Sequence, residues 1–123
     1  MEGAGYIDIH SHIIPEVDDG AKSFEESLAM LNVAYEQGIR IMYATPHYGS
    51  GKEKYDKQFL INQYQKLKDM AQNIGSDGIE LILGNEIYYG YSTLELLEKR
   101  EIFTMGDSRY ILVEFNYGIG YNE

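Results

Sequence analysis

The sequence predicts an α/β fold in which short parallel strands alternate with helices. Apolar runs of strand length alternate along the 123 residues with longer segments whose apolar residues recur every three or four positions. Serine caps and glycine stops bound those helical segments. Such alternation implies a parallel sheet with right-handed crossovers, and in these folds function gathers at the carboxyl ends of the strands. The length fits one domain, residues 1–123.

The first strand and helix are predicted between Tyr6 and Gly38. Isoleucines alternate from Tyr6 to His10, which indicates a short strand. Ser23 followed by Glu26 has the spacing of a capping box, and an apolar stripe at helical spacing follows it. Gly38 comes directly after that stripe and predicts a left-handed helix cap.

Two further strands enclose a second helix. Ile39–Ala44 and Ile79–Leu83 are apolar runs of strand length. The stripe of the helix between them consists of Leu60, Tyr64, Leu67, Ala71 and Ile74. Gly75 follows the last of these residues and predicts the end of the helix.

The last unit is shorter. Ser92 and Glu95 again have capping-box spacing, which predicts a helix that continues to about Lys99. Tyr110–Phe115 then reads as a fourth strand. Its nearly continuous apolar pattern is typical of a strand buried on both faces, although Glu114 interrupts it. An unpaired charge is rare in such a strand, so a cation is the simplest partner for Glu114.

Composition excludes several classes of function. The net charge of −10 repels nucleic acid and anionic lipid, so we expect no nucleic-acid partner. No apolar run approaches the roughly 18–20 residues that a membrane span needs, so we expect no membrane insertion. The N-terminus lacks the pattern of a secretory signal, and a cytoplasmic location is expected. The chain has no cysteine, which excludes disulfides, thiolate metal sites and a cysteine nucleophile.

Imidazole and carboxylate groups follow the predicted strands. The candidate metal ligands are His10, His12, Asp19, His47, Glu86 and Glu114. The histidines and glutamates lie at or just after strand ends, which parallel strands bring to one edge of the sheet, and Asp19 lies in the loop that leaves the same edge. His10 and His12 are two positions apart, so an extended backbone points both to one side. Ligands of this kind, without sulfur, favour zinc, manganese, iron or similar ions.

Each residue also has an ordinary interpretation. An isolated His-x-His is often no more than two polar side chains on a strand, and a single acid after a strand is often solvated. Asp18 and Asp19, close to Gly20, are typical turn residues. Tyr48 and Tyr88 lie beside candidate ligands, and they suit either the wall of an aromatic or phospho-aromatic site or any half-exposed loop.

Four motifs carry a resemblance to a known family. They are D-I-H-S-H-I-I-P-E-V-D-D-G-A (Asp8–Ala21), A-T-P-H-Y (Ala44–Tyr48), G-N-E-I-Y (Gly84–Tyr88) and I-L-V-E-F (Ile111–Phe115). In this order they resemble the PHP (polymerase and histidinol phosphatase) superfamily. The D-D-G that follows H-x-H-x-x-P is similar, more closely, to bacterial tyrosine-protein phosphatases of capsular and exopolysaccharide gene clusters.

The resemblance implies a partial (β/α) barrel of about four βα units, the N-terminal half of a barrel that needs about 250 residues. It places the six candidate ligands around a divalent metal cluster, expected to be Mn²⁺, with Fe, Zn and Co as alternatives. Glu114 would bridge two ions. The implied reaction is hydrolysis of phosphotyrosine on an autophosphorylating tyrosine kinase of polysaccharide export.

The resemblance implies that family members have a second half of the barrel, and this leaves more than one function open for the 123 residues. Family members carry a further histidine with a nearby arginine and a D-x-H motif there, so we expect the 123 residues to hold part of the ligand set. The chain could instead be a catalytically incomplete half-barrel that binds metal or a partner chain, or a small-molecule phosphoesterase of the histidinol phosphate type. Open sheet edges predict self-association, or pairing with a complementing chain, at Tyr110–Phe115.

Overall fold

The computed structural model of the protein describes residues 5–115. These residues form parallel strands, helices and one short 3-10 turn in an alternating order. The elements are β1 (Tyr6–Asp8), α1 (Phe24–Glu36), β2 (Ile39–Ala44), β3 (His47–Tyr48), α2 (Lys57–Ala71), β4 (Glu80–Leu83), β5 (Glu86–Tyr88), α3 (Thr93–Glu98), a 3-10 turn (Met105–Asp107) and β6 (Leu112–Glu114). The predicted α/β class is confirmed for this part of the chain.

The described strands form two three-stranded sheets, where the sequence predicted one sheet of four strands. The first sheet has the order β1-β2-β4 and the second has the order β3-β5-β6. All paired strands run parallel, as predicted. The second sheet continues the first, because only two residues separate β2 from β3 and two separate β4 from β5.

Each break between the sheets has a local cause. Thr45 and Pro46 separate β2 from β3, and proline has no N–H to donate to a neighbouring strand. Gly84 and Asn85 separate β4 from β5. Backbone hydrogen bonds nevertheless cross the breaks, from Gly84 N–H to Ala44 O (2.8 Å) and from Glu86 N–H to Pro46 O (2.9 Å). The chain therefore keeps its direction from one sheet into the next.

The first two helices begin and end largely as their sequences predict. Ser23 Oγ accepts the Glu26 N–H at 3.1 Å, which is one half of the predicted capping box. Gly38 and Gly75 both have positive φ, 95° and 60°, as expected for left-handed residues that follow a helix. The second stripe outlasts its helix, since α2 ends at Ala71 and Ile74 lies in the turn that follows.

The predicted capping box of the third helix is wrong. Ser92 has helical backbone angles, and among the described residues its side chain accepts no hydrogen bond from the helix. Thr93 Oγ1 instead accepts the Gly90 N–H at 2.9 Å. The threonine thereby stabilises the turn before α3, and sequence spacing alone did not distinguish it from the preceding serine.

The core lies between the first sheet and helices α1 and α2. Its buried residues come from both helices, from β2 and β4, and from the segment between β1 and α1. They include Ile13, Ile14, Val17, Leu31, Leu60, Leu67, Ile79 and Leu81. This packing fixes the segment after β1, which carries several candidate ligands.

The outermost strands are shorter and more exposed than predicted. β1 ends at Asp8 because the Asp8 carboxylate accepts the His10 N–H at 3.0 Å. β6 is half-buried throughout, which contradicts the predicted burial on both faces, since among the described strands it pairs only with β5. Tyr6 and Tyr110, in and beside these strands, are each 71% exposed. None of the helices in residues 5–115 is long and apolar enough to span a membrane.

Candidate metal centre

The six predicted ligands converge at the boundary between the two sheets. Two come from the segment after β1, one from the loop before α1, and one each from β3, β5 and β6. The convergence depends on register, because His47 pairs with Glu86 and Tyr88 with Glu114 across the second sheet. Together with Asp18, they form a cluster of candidate metal ligands, the metal-ligand cluster: His10, His12, Asp18, Asp19, His47, Glu86 and Glu114.

Glu86 lies at the middle of this cluster. Its Oε1 is 2.8 Å from His10 Nε2, 2.9 Å from His12 Nε2 and 3.7 Å from His47 Nδ1. The rings of His10 and His12 meet edge to face with centroids 5.3 Å apart. Both rings therefore point to one side, as the spacing of two predicted, although the strand itself ends before them.

Asp18 contacts two of the histidines, the ring of His12 and the backbone N–H of His47. Its carboxylate is 3% exposed and lies 3.0 Å from His12 Nδ1. It also accepts the backbone N–H groups of Gly20 (2.9 Å) and His47 (3.1 Å). The local pattern predicted Asp18 only as a turn residue, whereas in the structure its carboxylate orients the His12 ring. The adjacent Asp19 points outward and places Oδ1 at 3.2 Å from His47 Nε2.

The contact between His12 and Asp18 changes the acidity of both groups. The hydrogen bond to Asp18 raises the pKa of His12 above its ordinary value, and burial opposes that rise. Burial by itself would raise the pKa of Asp18. Hydrogen bonds from His12, Gly20 and His47 outweigh burial, and the pKa of Asp18 is lowered.

His47 and Glu114 leave two buried atoms unsatisfied. His47 Nδ1 and Glu114 Oε1 lie 3.4 Å apart, and neither has a hydrogen-bond partner among the described residues. Buried polar atoms are nearly always paired in folded proteins, so an orphaned nitrogen that faces an orphaned carboxylate oxygen needs an explanation. A cation between them would satisfy both, and these donor types fit one.

Three overlapping groups of side chains can hold a metal ion. Within each group the candidate ligand atoms lie within 4.8 Å of one another. The groups are His10 with His12 and Glu86; His12 with Asp18, Asp19 and His47; and His47 with Glu86 and Glu114. Since neighbouring groups share His12, Glu86 or His47, the arrangement suits more than one ion. The structure thus has a possible metal-binding cluster of imidazoles and carboxylates without sulfur.

The two predicted substrate-binding tyrosines lie on different faces of the second sheet. Side chains alternate along β5, so Tyr88 shares the face of Glu86 and pairs in register with Glu114. Tyr48 follows His47 and therefore lies on the opposite face. There it lines a cavity of about 180 Å³, together with Tyr55, residues at the start of α2 and residues of the segment between α3 and the 3-10 turn. Its position does not favour contact with a ligand at the cluster.

A polar network of Asn85 and Tyr55 lies next to the cluster, and the sequence did not predict it. Asn85 is 1% exposed, and its amide donates to Pro46 O (3.0 Å) and to Tyr55 Oη (3.2 Å). Its carbonyl accepts the Phe103 N–H at 2.8 Å. Tyr55 in turn donates to His47 O at 2.9 Å, and burial raises the pKa of this phenol. The network ties both strand breaks to the residues that enter the cluster.

The chain has relatives among tyrosine-protein phosphatases. It is 41% identical over 117 residues to tyrosine-protein phosphatase CpsB of Streptococcus pneumoniae, an alignment that covers 95% of this chain and 48% of that protein. It is 35% identical over 112 residues to tyrosine-protein phosphatase YwqE of Bacillus subtilis, covering 90% of this chain and 43% of that protein. The chain therefore spans about half the length of these relatives.

A solved structure matches the fold as well. It belongs to the crystal structures of YwqE from Bacillus subtilis and CpsB from Streptococcus pneumoniae, described as unique metal-dependent tyrosine phosphatases. The TM-score is 0.81 at 33% sequence identity, over 91% of this chain and 45% of the other. Residues 6–123 also match the family of capsular polysaccharide synthesis proteins CpsB/CapC. The chain belongs to this CpsB/CapC family, in agreement with the resemblance of its motifs.

Proposed function

We propose that the chain supplies the metal-binding part of a metal-dependent phosphatase, which hydrolyses phosphotyrosine on a bacterial tyrosine kinase that controls capsule or exopolysaccharide synthesis. The observation that carries the proposal is the buried pair of orphaned atoms, His47 Nδ1 and Glu114 Oε1, inside a cluster of imidazoles and carboxylates. Relatives named tyrosine-protein phosphatases support the reaction class. The cytoplasmic location expected from the sequence belongs to this proposal.

The proposed ligands are the six that the sequence singled out: His10, His12, Asp19, His47, Glu86 and Glu114. Mn²⁺ is the proposed metal, and Fe, Zn and Co suit the same donors. When bound, the metal would lower the pKa of a water and neutralise charge on the phosphate oxygens. Glu86 lies against all three imidazoles, so it holds them within reach of shared ions.

The remaining residues position these ligands. Asp18 fixes the His12 ring through Nδ1, which leaves Nε2 directed toward Glu86. Tyr88 shares the face of the cluster and is the proposed contact for the substrate ring. The chain has no cysteine, so a cysteinyl-phosphate intermediate is unavailable to it, and direct attack by water fits the residues present.

We also propose that the fold is a partial (β/α) barrel of the PHP type with about four βα units in one domain, residues 1–123. The two continuous parallel sheets and the match to about half of a relative's structure support this interpretation. Residues 1–4 and 116–123 lie outside the described part of the chain.

The test of the proposal is metal content together with activity. We expect the double variant His10→Ala, His12→Ala to lose most of its bound metal by elemental analysis. The matched control, Gln58→Ala with Asn62→Ala on the exposed face of α2, should keep it. Phosphatase activity on a phosphotyrosine peptide should need added Mn²⁺, stop with chelator and resist thiol alkylation. Unchanged metal content in the histidine variant, or activity that survives complete chelation, would contradict the proposal.

A second candidate is a catalytically incomplete half-barrel that binds metal or a partner chain. Exposed apolar residues on the outermost strands favour it, with Tyr6 and Ile7 in β1 and Tyr110 and Ile111 just before β6. Metal binding without activity, even with Mn²⁺, would select this candidate. Faster turnover of histidinol phosphate than of phosphotyrosine peptide would instead select a small-molecule phosphoesterase.

A further inference from the structure

The loop after β3 forms a small cradle of backbone donors. Gly49 and Gly51 both have positive φ, 87° and 85°, a conformation that favours glycine. Their N–H groups converge on one side chain: Gly49 donates to Glu53 Oε2, and Gly51 donates to Glu53 Oε1 at 3.0 Å. Successive backbone N–H groups arranged around one anion make a concavity that binds anions. In this structure the anion is the chain's own Glu53.

This cradle adjoins the metal-ligand cluster. Lys52, within the loop, places Nζ at 3.8 Å from Asp19 Oδ2, and Asp19 contacts His47. The loop is held in place at its far end, where Lys54 N–H donates to Val17 O at 2.7 Å. The cradle is thus fixed at both ends, by β3 and by the loop that carries Asp19.

The metal-ligand cluster carries negative charge, so nearby positive groups and N–H donors matter for the approach of an anionic substrate. The cluster contains four carboxylates, those of Asp18, Asp19, Glu86 and Glu114. In the described part of the chain, Lys52 is the one lysine or arginine whose ion pair involves a residue of the cluster. The Lys52 ammonium and the glycine N–H groups therefore form a rim that attracts anions beside a site that repels them.

The geometry points to a function for this rim. We propose that residues 49–53 form an oxyanion subsite that Glu53 occupies until substrate displaces it. This inference rests on the proposed function, in which the substrate is phosphotyrosine. The incoming group is then a second oxyanion close to the phosphotyrosine, either the carboxylate of an acidic residue or another phosphate. The cradle would then select phosphotyrosine segments that carry additional negative charge.

Two features allow Glu53 to be exchanged for an external anion. The space beside Gly51 is open, because a Cβ at that position would meet nothing within 4 Å. The glycine conformations, rather than Glu53, direct the N–H groups, so the cradle can persist when the side chain leaves. An internal competitor lowers the apparent affinity for an external anion by the fraction of time that the cradle is free.

The test uses metal-free chain and the amide NMR signals of Gly49 and Gly51. Inorganic phosphate and acetate are titrated separately into the wild type, Glu53→Ala and the control Glu98→Gln, an exposed glutamate in α3. We expect saturable shifts of both glycine signals in Glu53→Ala, with an apparent Kd about tenfold lower than in the wild type if Glu53 fills the cradle nine-tenths of the time. The control should match the wild type.

A second variant removes the cradle itself. Gly51→Ala in the Glu53→Ala background strains the positive φ and should abolish the shift of the Gly49 signal. Tighter binding of phosphate would identify a second phosphate as the natural group, and similar binding of acetate would identify an acidic side chain. Equal affinities in wild type and Glu53→Ala, or a shift of the Gly49 signal that survives Gly51→Ala, would overturn the proposal. Because no metal and no turnover are involved, the result is independent of the phosphatase assay.

Discussion

Replacing Asp18 by asparagine tests whether this residue orients the cluster. The carboxylate accepts three hydrogen bonds: from His12 and His47 at Oδ2, and from Gly20 at Oδ1. Asparagine has nearly the same shape but only one acceptor oxygen. Its NH₂ group must therefore face either the Gly20 N–H or the donors at His12 and His47, and a donor would meet a donor.

The expected effects are large enough to measure. Groups that orient a metal ligand typically contribute 10–100-fold to metal affinity, which corresponds to about 1.4 to 2.8 kcal/mol of binding free energy. Leaving a buried donor unsatisfied costs about 1–3 kcal/mol of unfolding free energy in addition. We therefore expect Asp18→Asn to bind Mn²⁺ 10–100-fold more weakly. Metal-free Asp18→Asn should also unfold at lower urea concentration.

Calorimetric titration with Mn²⁺ and urea unfolding of the metal-free chain are the two assays. Asp56→Asn is the matched control, since Asp56 caps α2 by accepting the Phe59 N–H at 2.8 Å and asparagine caps helices equally well. This control should change neither measurement. If Asp18→Asn retains wild-type metal affinity, the orienting role assigned to Asp18 is wrong. If it retains wild-type stability, the three hydrogen bonds carry less free energy than their burial indicates.

Three other predictions concern stability and association. In the metal-free chain the pKa of Asp18 is lowered, so its contribution to stability is present above pH 3.8 and is lost as the pH falls below that value. The pKa of His12 is raised, so its contribution is present below pH 6.5 and is lost as the pH rises above that value. Urea unfolding at a series of pH values should show both losses, and Asp18→Asn should remove them. Asn85→Ala removes the three hydrogen bonds of a buried side chain and should lower the free energy of unfolding in urea by about 3 kcal/mol, against less than about 0.5 kcal/mol for the exposed Asn62→Ala. Similar losses in the two variants would mean that the network does not stabilise the fold. Sedimentation velocity over a range of concentrations should show self-association through Tyr110–Phe115, and a concentration-independent monomer would contradict it.

Periodicity predicted the elements that bury an apolar face. The stripes of α1 and α2 and the runs that became β2 and β4 belong to one core, so local pattern and packing agree. The pattern was less informative for the outermost strands. β1 ends at Asp8, whose side chain accepts the His10 N–H. The apolar run from Tyr110 became a half-buried strand that pairs, among the described strands, with β5 alone. Such outcomes depend on neighbours that the local sequence does not specify.

In the candidate site, too, the local sequence predicted some features, and others depend on tertiary packing. Residue type and position after a strand predicted which six side chains would meet. They did not distinguish the two adjacent aspartates, of which Asp18 is buried against His12 while Asp19 points outward. They also gave no sign of Asn85, whose importance comes from partners far along the chain, Pro46 and Phe103. A polar residue acquires such a role only when tertiary packing excludes water around it.

The two strand breaks explain why the cluster forms where the first sheet ends. Ala44 pairs with Leu83 before the breaks, and His47 pairs with Glu86 after them. The register is the same on both sides of the breaks because each break contains two residues, so β3 and β5 begin at paired positions. Pro46 and Asn85 interrupt the continuous ladder, and the Asn85 amide donates a second hydrogen bond to the Pro46 carbonyl, which also accepts the Glu86 N–H. The offset between partners is the same before and after the breaks, so His47 and Glu86 remain opposite each other and lie on the same face of the second sheet.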